Sequence, residues 1–281
     1  MEKLLTYCGY QLSYEVYGSG KQCFLAIHGF DRFKEDYEKL AQKLGSEYKI
    51  IAFDFFHHGN SLVLDKEKTT KDDFAKLISE MLRTENITEF SIIGYSMGGR
   101  FALCLTEYFN KQVSNLILIA PDGVKISKSH KFAGTWFGKF IFKNIVLKYP
   151  NFCVNVVQFF SRIRLVPKSL GKFVVFYIGD KKKRELVYNV WMSSKYLFPK
   201  HSAIINKIND NKLKLTFVFG KYDRILPSNI GHKFNRRLKN KAKIHEIESG
   251  HAILKEEYLD EVSSLIKQNN NWLLLKQADY Y

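Results

Sequence analysis

Short apolar runs alternate along this chain with longer stretches in which apolar residues recur at helical spacing, and the alternation itself predicts the elements. Lys3 to Cys8 and Gln11 to Tyr17 read as two strands of a hairpin around Gly9-Tyr10, followed by a turn at Gly18-Ser19-Gly20. Cys23 to Ile27 is apolar enough for a strand buried on both faces. A helical pattern from Asp36 to Leu44 stops at Gly45, and Tyr48 to Phe53 is the next strand. Thr70-Lys71-Asp72-Asp73 resembles a capping box ahead of a helix from Phe74 to Leu82. A strand from Phe90 then runs into Gly94-Tyr95-Ser96-Met97-Gly98-Gly99 and the apolar helical run Phe101 to Leu105. Val113 to Ala120 is another buried strand, closed by the turn Pro121-Asp122-Gly123.

After Gly123 the alternation stops. Residues 124–212 are mainly helical in pattern and dense in aromatics, among them Trp136, Phe137, Phe140, Phe159, Phe160 and Trp191. Alternation resumes with a strand from Leu213 to Phe219, a helix near Asn229 to Leu238, a strand from Ala242 to Ile247 and a helix from about Ile253 to Ile266. The segment from Gln268 to Tyr281 carries no clear pattern, and no internal repeat is present. Strands alternating with helices predict an α/β fold, a mostly parallel twisted sheet with helices on both faces. Residues 1–123 and 213–281 supply that core, and 124–212 form an inserted helical cap.

Charge sharpens this division. The 281 residues carry a net charge of +16. From Val124 to Lys212 there are 18 Lys and Arg against Asp180, Glu185 and Asp210, so that segment alone is +15; the remainder, with 26 basic and 25 acidic residues, is +1. Two surfaces of different character are therefore joined in one chain. The reading of the insert is an aromatic face turned inward over the site and a basic face turned outward, with Lys181-Lys182-Lys183-Arg184 its densest cluster. Such a surface suits a ligand that is amphipathic or carries an anionic head, or peripheral contact with an anionic membrane surface, or serves only to keep an aromatic insert in solution. The basic residues are interspersed with buried-type aromatics and no helix-turn-helix, zinc-finger or RNP-like pattern is present, so nucleic acid is not an expected partner. Cys8, Cys23, Cys104 and Cys153 are scattered, and read as reduced, mostly buried thiols of a cytoplasmic protein. The N-terminal residues lack a signal-peptide core, and no apolar run approaches a membrane span.

In parallel sheets the functional loops gather at the carboxyl ends of the strands. His28, Asp54, Ser96, Asp122, Asp223 and His251 each follow a predicted strand and so share one rim. Ser96 sits in G-x-S-x-G between strand and helix, the context of a nucleophile elbow. The serine must occupy a sharp turn, and Gly94 and Gly98 lack the Cβ that would clash as strand and helix draw together. A serine hydroxyl needs a base in reach and a partner that fixes the base's tautomer. Asp223 and Asp122 both compete as that partner; Pro121-Asp122-Gly123 reads naturally as a turn.

With Ser96, Asp223 and His251 in that chain order, the sequence resembles the α/β-hydrolase fold family, specifically serine hydrolases with a helical cap. The matching pieces are His28-Gly29-Phe30, Asp54 through Ser61, Gly94 through Gly99, Gly220 through Asp223 with Pro227, and Gly250-His251. The resemblance implies Ser96 as nucleophile, Asp223 as acid and His251 as base. It implies the backbone N–H groups of Met97 and Phe30 as oxyanion donors, His28 and Gly29 as shapers of the Phe30 loop, and Asp54 as a brace for its own loop. There, Phe55-Phe56-His57 replaces the more usual Pro-Gly-His, a departure that bears on access to the site. The implied activity is hydrolysis of an ester, thioester or related acyl bond with no cofactor or metal. C–C bond hydrolysis, acyl transfer and a non-catalytic binding role on the same fold are the alternatives.

Overall fold

The computed structural model describes residues 1–66, 68–109, 111–125, 135, 140–166, 168–210 and 213–270. The chain divides into two compact units: Met1–Lys66, Thr70–Lys125 and Leu197–Tyr281 form the first, and Glu67–Thr69 with Ile126–Tyr196 the second.

In the first unit, β1 (Lys3–Tyr7) and β2 (Tyr10–Tyr17) pair as an antiparallel hairpin. Its two-residue turn is Cys8-Gly9, both at positive φ (47° and 82°), so the turn lies one position earlier than the sequence suggests and Tyr10 already faces Tyr7. Next come β3 (Gln22–Ile27), α1 (Glu38–Leu44), β4 (Tyr48–Phe53) and the short β5 (Leu62–Val63). A 3₁₀ turn at Lys34–Tyr37 replaces the predicted start of α1. The capping box at Thr70 forms as expected: its Oγ1 accepts from the Asp73 N–H, and Asp73 accepts from the Thr70 N–H. Because Thr70 is the cap, α2 begins at once and spans Lys71–Thr84. Then follow β6 (Phe90–Tyr95), α3 (Met97–Tyr108) and β7 (Val113–Ile119).

The second unit is inserted in sequence after β7. It contains a π-helical turn at Phe142–Val146, α4 (Pro150–Arg162), α5 (Lys168–Gly179) and α6 (Lys181–Ser194). The chain then returns to the first unit with α7 (His201–Asn209), β8 (Lys214–Gly220), α8 (Asn229–Arg237), β9 (Lys243–Ile247) and α9 (Leu259–Asn270). The insert therefore ends near Tyr196 rather than Lys212. The physical reason is that α7 packs on α3, with the Lys200 N–H on Glu107 and His201 Nε2 2.7 Å from the Gly123 carbonyl. The predicted last helix starts late, at Leu259 after a 3₁₀ turn, and absorbs Gln268–Asn270; residues 271–281 lie outside the described residues.

Among the described residues one sheet runs β1-β2-β4-β3-β6-β7-β8-β9, with β5 on β2. From β4 to β9 every pairing is parallel. Ile27 lies opposite Gly94, Gly94 opposite Leu118, Ile119 opposite Val218, and Gly220 opposite Ile247. Five strands thus end in register, and the loops after them share one edge. Strand order reverses between β3 and β6, where such sheets open a crevice. Both faces are covered, and β6 is buried throughout. Phe55 and Phe56, fully buried, join an aromatic core: Phe55 stacks on Phe101 at 4.0 Å, and both meet Phe74. The departure from Pro-Gly-His is therefore a packing feature, because these rings point into the core and away from any entrance. Of the four cysteines, Cys23 and Cys104 are buried and Cys8 is exposed at its hairpin turn, so "mostly buried" holds for only half of them. Among the described residues no helix is long and apolar enough to cross a membrane.

In the second unit the aromatic residues do not all turn inward. Phe140, Phe152, Phe159, Phe160 and Phe176 are exposed, while Phe142 packs on Tyr188 and Trp191; Trp136 and Phe137 lie outside the described residues. The basic cluster is also mixed. Lys181 and Lys182 are exposed, but Lys183 lies over the Phe176 ring and Arg184 is buried, donating to the Ile178 carbonyl.

One buried lysine makes the fold pH-sensitive. Lys207 Nζ, on α7, donates to the Val113 carbonyl at 3.0 Å, and burial pulls its pKa down to about 8. Between that value and the ordinary lysine range the unfolded chain holds the extra proton, so stability rises with pH across that window. Denaturant titrations at about pH 7 and about pH 10 are expected to show this rise, and Lys207→Met is expected to flatten it. An unchanged slope in the variant would show that another group is responsible.

Candidate active site

The turn that carries Ser96 is made by close backbone approach. Ser96 adopts φ 51° and ψ −117°, a strained conformation for a residue with a side chain. Its N–H donates to the Ile119 carbonyl and its own carbonyl accepts from the N–H groups of Gly99 and Asp122, which together hold the strain. A Cβ on Gly98 would stand 2.1 Å from the Ile27 carbonyl oxygen, and one on Gly94 would meet the Gly98 carbonyl at 2.7 Å. Only glycine lets the head of α3 settle against the ends of β3 and β6.

Three loops then converge. The loop after β8 is zipped to the loop after β9: the Lys221 N–H donates to Ile247 and the Tyr222 N–H to Ser249. Gly220 permits this, since a Cβ there would lie 2.0 Å from the Gly250 carbonyl. Asp223, buried, accepts the N–H groups of Ile225 and Leu226 on Oδ1, leaving Oδ2 for His251 Nδ1 at 2.7 Å. His251 Nε2 in turn lies 2.9 Å from Ser96 Oγ. Burial alone would raise the Asp223 carboxyl, but the His251 contact and the two N–H bonds outweigh it and hold the group below the ordinary aspartate value. An ionised Asp223 accepts a hydrogen bond from Nδ1–H, which keeps the proton on Nδ1 and leaves Nε2 free to accept from the serine. Such a chain of bonds is competent to draw the proton from Ser96 as its oxygen attacks an electrophile.

Gly29, Phe30, Ser96 and His251 line one cleft of about 200 Å³ together with Arg32 and Lys255. Met97 heads α3, so its N–H has no acceptor within the helix. His28 does not enter the cleft. It is fully buried, donates from Nδ1 to the Gly29 carbonyl and accepts the Phe55 N–H on Nε2, and burial drives its pKa well down. His58, another neutral buried imidazole, accepts the Asp31 N–H at 3.1 Å. Asp122 lies beside Arg100, 3.6 Å from its Nε, whereas Asp223 is the acid that meets His251.

Two supports escape sequence reasoning. Lys34, which the motif reading does not single out, is buried with Nζ 2.9 Å from Asp54 Oδ2, while its N–H donates to Asp54 Oδ1. This pair ties the segment after Phe30 to the loop after β4. Tyr95 reads as packing only. Its hydroxyl donates to the His251 carbonyl at 3.0 Å, its ring stacks on the imidazole at 5.7 Å, and burial pushes its pKa up to about 12. No local signal marks either role, since both partners come from distant strands. Among the described residues no group of three or more His, Cys, Asp and Glu is placed to hold a metal ion.

Comparison with known proteins is consistent with this geometry. A family model described as alpha/beta hydrolase fold matches residues 23–258. An uncharacterized hydrolase of Bacillus subtilis (strain 168), YugF, is 23% identical over 279 residues, covering 88% of this chain and 90% of YugF. Among solved structures, a thermophilic esterase from Thermogutta terrifontis superposes with a TM-score of 0.68 at 16% identity, covering 97% of this chain and 98% of the esterase. The thioesterase domain from the curacin biosynthetic pathway gives 0.63 at 18% identity, covering 95% and 98%.

The glycine contacts generate a direct test. Gly98→Ala is expected to cost more than about 2 kcal/mol in denaturant titration, because its Cβ meets rigid backbone. Gly179→Ala, where a Cβ meets nothing within 4 Å, is the control and is expected to be near neutral. Equal stability of the two variants would refute the close-approach account.

Proposed function

The chain belongs to the α/β-hydrolase fold family, and from that premise we propose that it is a serine hydrolase that cleaves an ester, thioester or related acyl bond through an acyl-enzyme on Ser96. The observation that carries this reading is the unbroken hydrogen-bonded line from Ser96 Oγ through His251 to Asp223 at the carboxyl edge of the sheet. Family membership and a relative named as a hydrolase support hydrolysis in general; the acyl chemistry rests on the line of bonds.

In this mechanism His251 Nε2 takes the Ser96 proton as Oγ adds to the substrate carbonyl. The N–H groups of Phe30 and Met97 hold the oxyanion, and the dipole of α3 adds to that field. His251 gives the proton to the leaving group, and the tetrahedral intermediate collapses to the acyl-enzyme. Water, deprotonated by the same imidazole, then releases the acid and restores Ser96. Asp223 keeps the imidazole in one tautomer and stabilises its charged form in both halves of the cycle. Tyr95 holds the backbone of His251 in place through the hydroxyl bond to its carbonyl.

A fluorophosphonate probe is expected to label the wild-type protein at Ser96 and leave Ser96→Ala unlabelled with its fold intact. Turnover of short p-nitrophenyl esters is expected to vanish in the same variant. Wild-type ester turnover by Ser96→Ala would overturn the mechanism. Asp223→Asn inverts the imidazole's hydrogen-bonding options and is expected to lose on the order of a hundredfold or more in kcat. Asp122→Asn is expected to stay within a few-fold of wild type. The opposite ranking would reassign the acid.

A further inference from the structure

The inserted unit has a surface that the acyl chemistry does not explain. Between Asp122 and Asp180 the chain has no carboxylate side chain and ten Lys and Arg. Within that stretch α4 has no buried residue at all, although most of its residues are apolar. The cause is the way it packs on α5. Gln158, Ser161 and Arg162 of α4 line a groove with Gly171, Val175 and Phe176 of α5. Gly171 draws the two helices together, since a Cβ there would lie 2.9 Å from Ser161 Oγ. Cys153, Val154, Val156 and Val157 are half-buried with Gln158 and Ser161, and another side of α4 faces out. Phe152, Phe159 and Ile163 recur there at helical spacing and are 63%, 57% and 49% exposed, and Leu165 just beyond is 71% exposed. Exposed Lys148, Arg162 and Arg164 accompany the stripe.

We propose that α4 and the turn after it form an interfacial docking surface for a lipid bilayer that contains anionic phospholipid. Phe152, Phe159, Ile163 and Leu165 enter the boundary between headgroups and acyl chains, and Lys148, Arg162 and Arg164 meet lipid phosphates. A contiguous apolar stripe in water is unfavourable and marks an interaction site. Its aliphatic members argue against nucleic acid, which binds aromatic faces by stacking and has no use for Ile163 and Leu165. A helix lying flat, with large apolar side chains outward and lysine and arginine at its edge, has the chemistry of an interfacial segment. With no Asp or Glu between Asp122 and Asp180, the segment that carries α4 adds no charge of its own that would repel an anionic surface.

The test uses the full chain and reads binding rather than turnover, so it stands or falls separately from the hydrolase reading. Co-sedimentation is measured with phosphatidylcholine vesicles and with vesicles in which about a third of the lipid is phosphatidylglycerol. Wild type is expected to bind the anionic vesicles at least about tenfold more tightly, an advantage that shrinks as salt is raised. Phe152→Ser with Phe159→Ser is expected to lose binding to anionic vesicles while keeping the wild-type circular dichroism spectrum and thermal unfolding profile, which report that the fold survives. Arg162→Gln with Arg164→Gln is expected to lose the anionic preference. Absence of vesicle binding by wild type overturns the proposal. So does binding that ignores Phe152 and Phe159, or equal retention on a single-stranded nucleic acid that is lost with them.

Discussion

The contact between the head of α3 and the ends of β3 and β6 is the constraint on which the rest depends. Ser96 is held at φ 51° because Gly98 lies against the Ile27 carbonyl and Gly94 against Gly98. A side chain at either glycine would separate helix from sheet, and the serine would lose both its strained turn and its direction. The strain is sustained by three backbone bonds, to Ile119, Gly99 and Asp122. Strained backbone of this kind persists only where the surroundings over-determine it, and here the buried parallel strands do so.

Around that fixed point the loops are braced from behind by neutral or paired buried groups. His28 and His58 are imidazoles kept uncharged by burial, each accepting one backbone N–H, from Phe55 and Asp31 respectively. Lys34 and Asp54 form a buried ion pair that joins the same two loops, and Glu35 and Glu2 bring two further carboxylates to the lysine. Removing one member of a buried pair strands the other charge, typically at about 3–5 kcal/mol. The loop carrying Phe30 is therefore held by polar groups whose loss is costly. The aromatic core of Phe55, Phe74 and Phe101 anchors the loop after β4 from below. Side chains in the cleft, by contrast, are partly open: His251 keeps 23% of its side chain exposed beside the buried Asp223.

Local sequence determined much of this protein. Alternating runs specified the strands, and the capping box of Thr70 and Asp73 marked the start of α2. The G-x-S-x-G spacing located Ser96, because close approach of strand and helix is a local steric demand that only glycine meets. Residue reading left Asp122 and Asp223 both in play and the resemblance favoured Asp223; both acids end neighbouring strands, and the zipping of two loops through Gly220 brings Asp223 to His251.

Tertiary structure decided what depends on partners far away in the chain. No motif singles out Lys34, whose partner Asp54 arrives from the next strand, and Tyr95 looks like packing until the His251 loop closes over it. The insert ended at Tyr196 because α7 found α3, a contact with no local signature. The phenylalanines of α4 stayed exposed because Cys153 and the valines, with Gln158 and Ser161, took the covered positions. Periodicity identifies which residues share a helical face; which face is covered depends on the neighbour that packs against it, and that is a property of the folded chain.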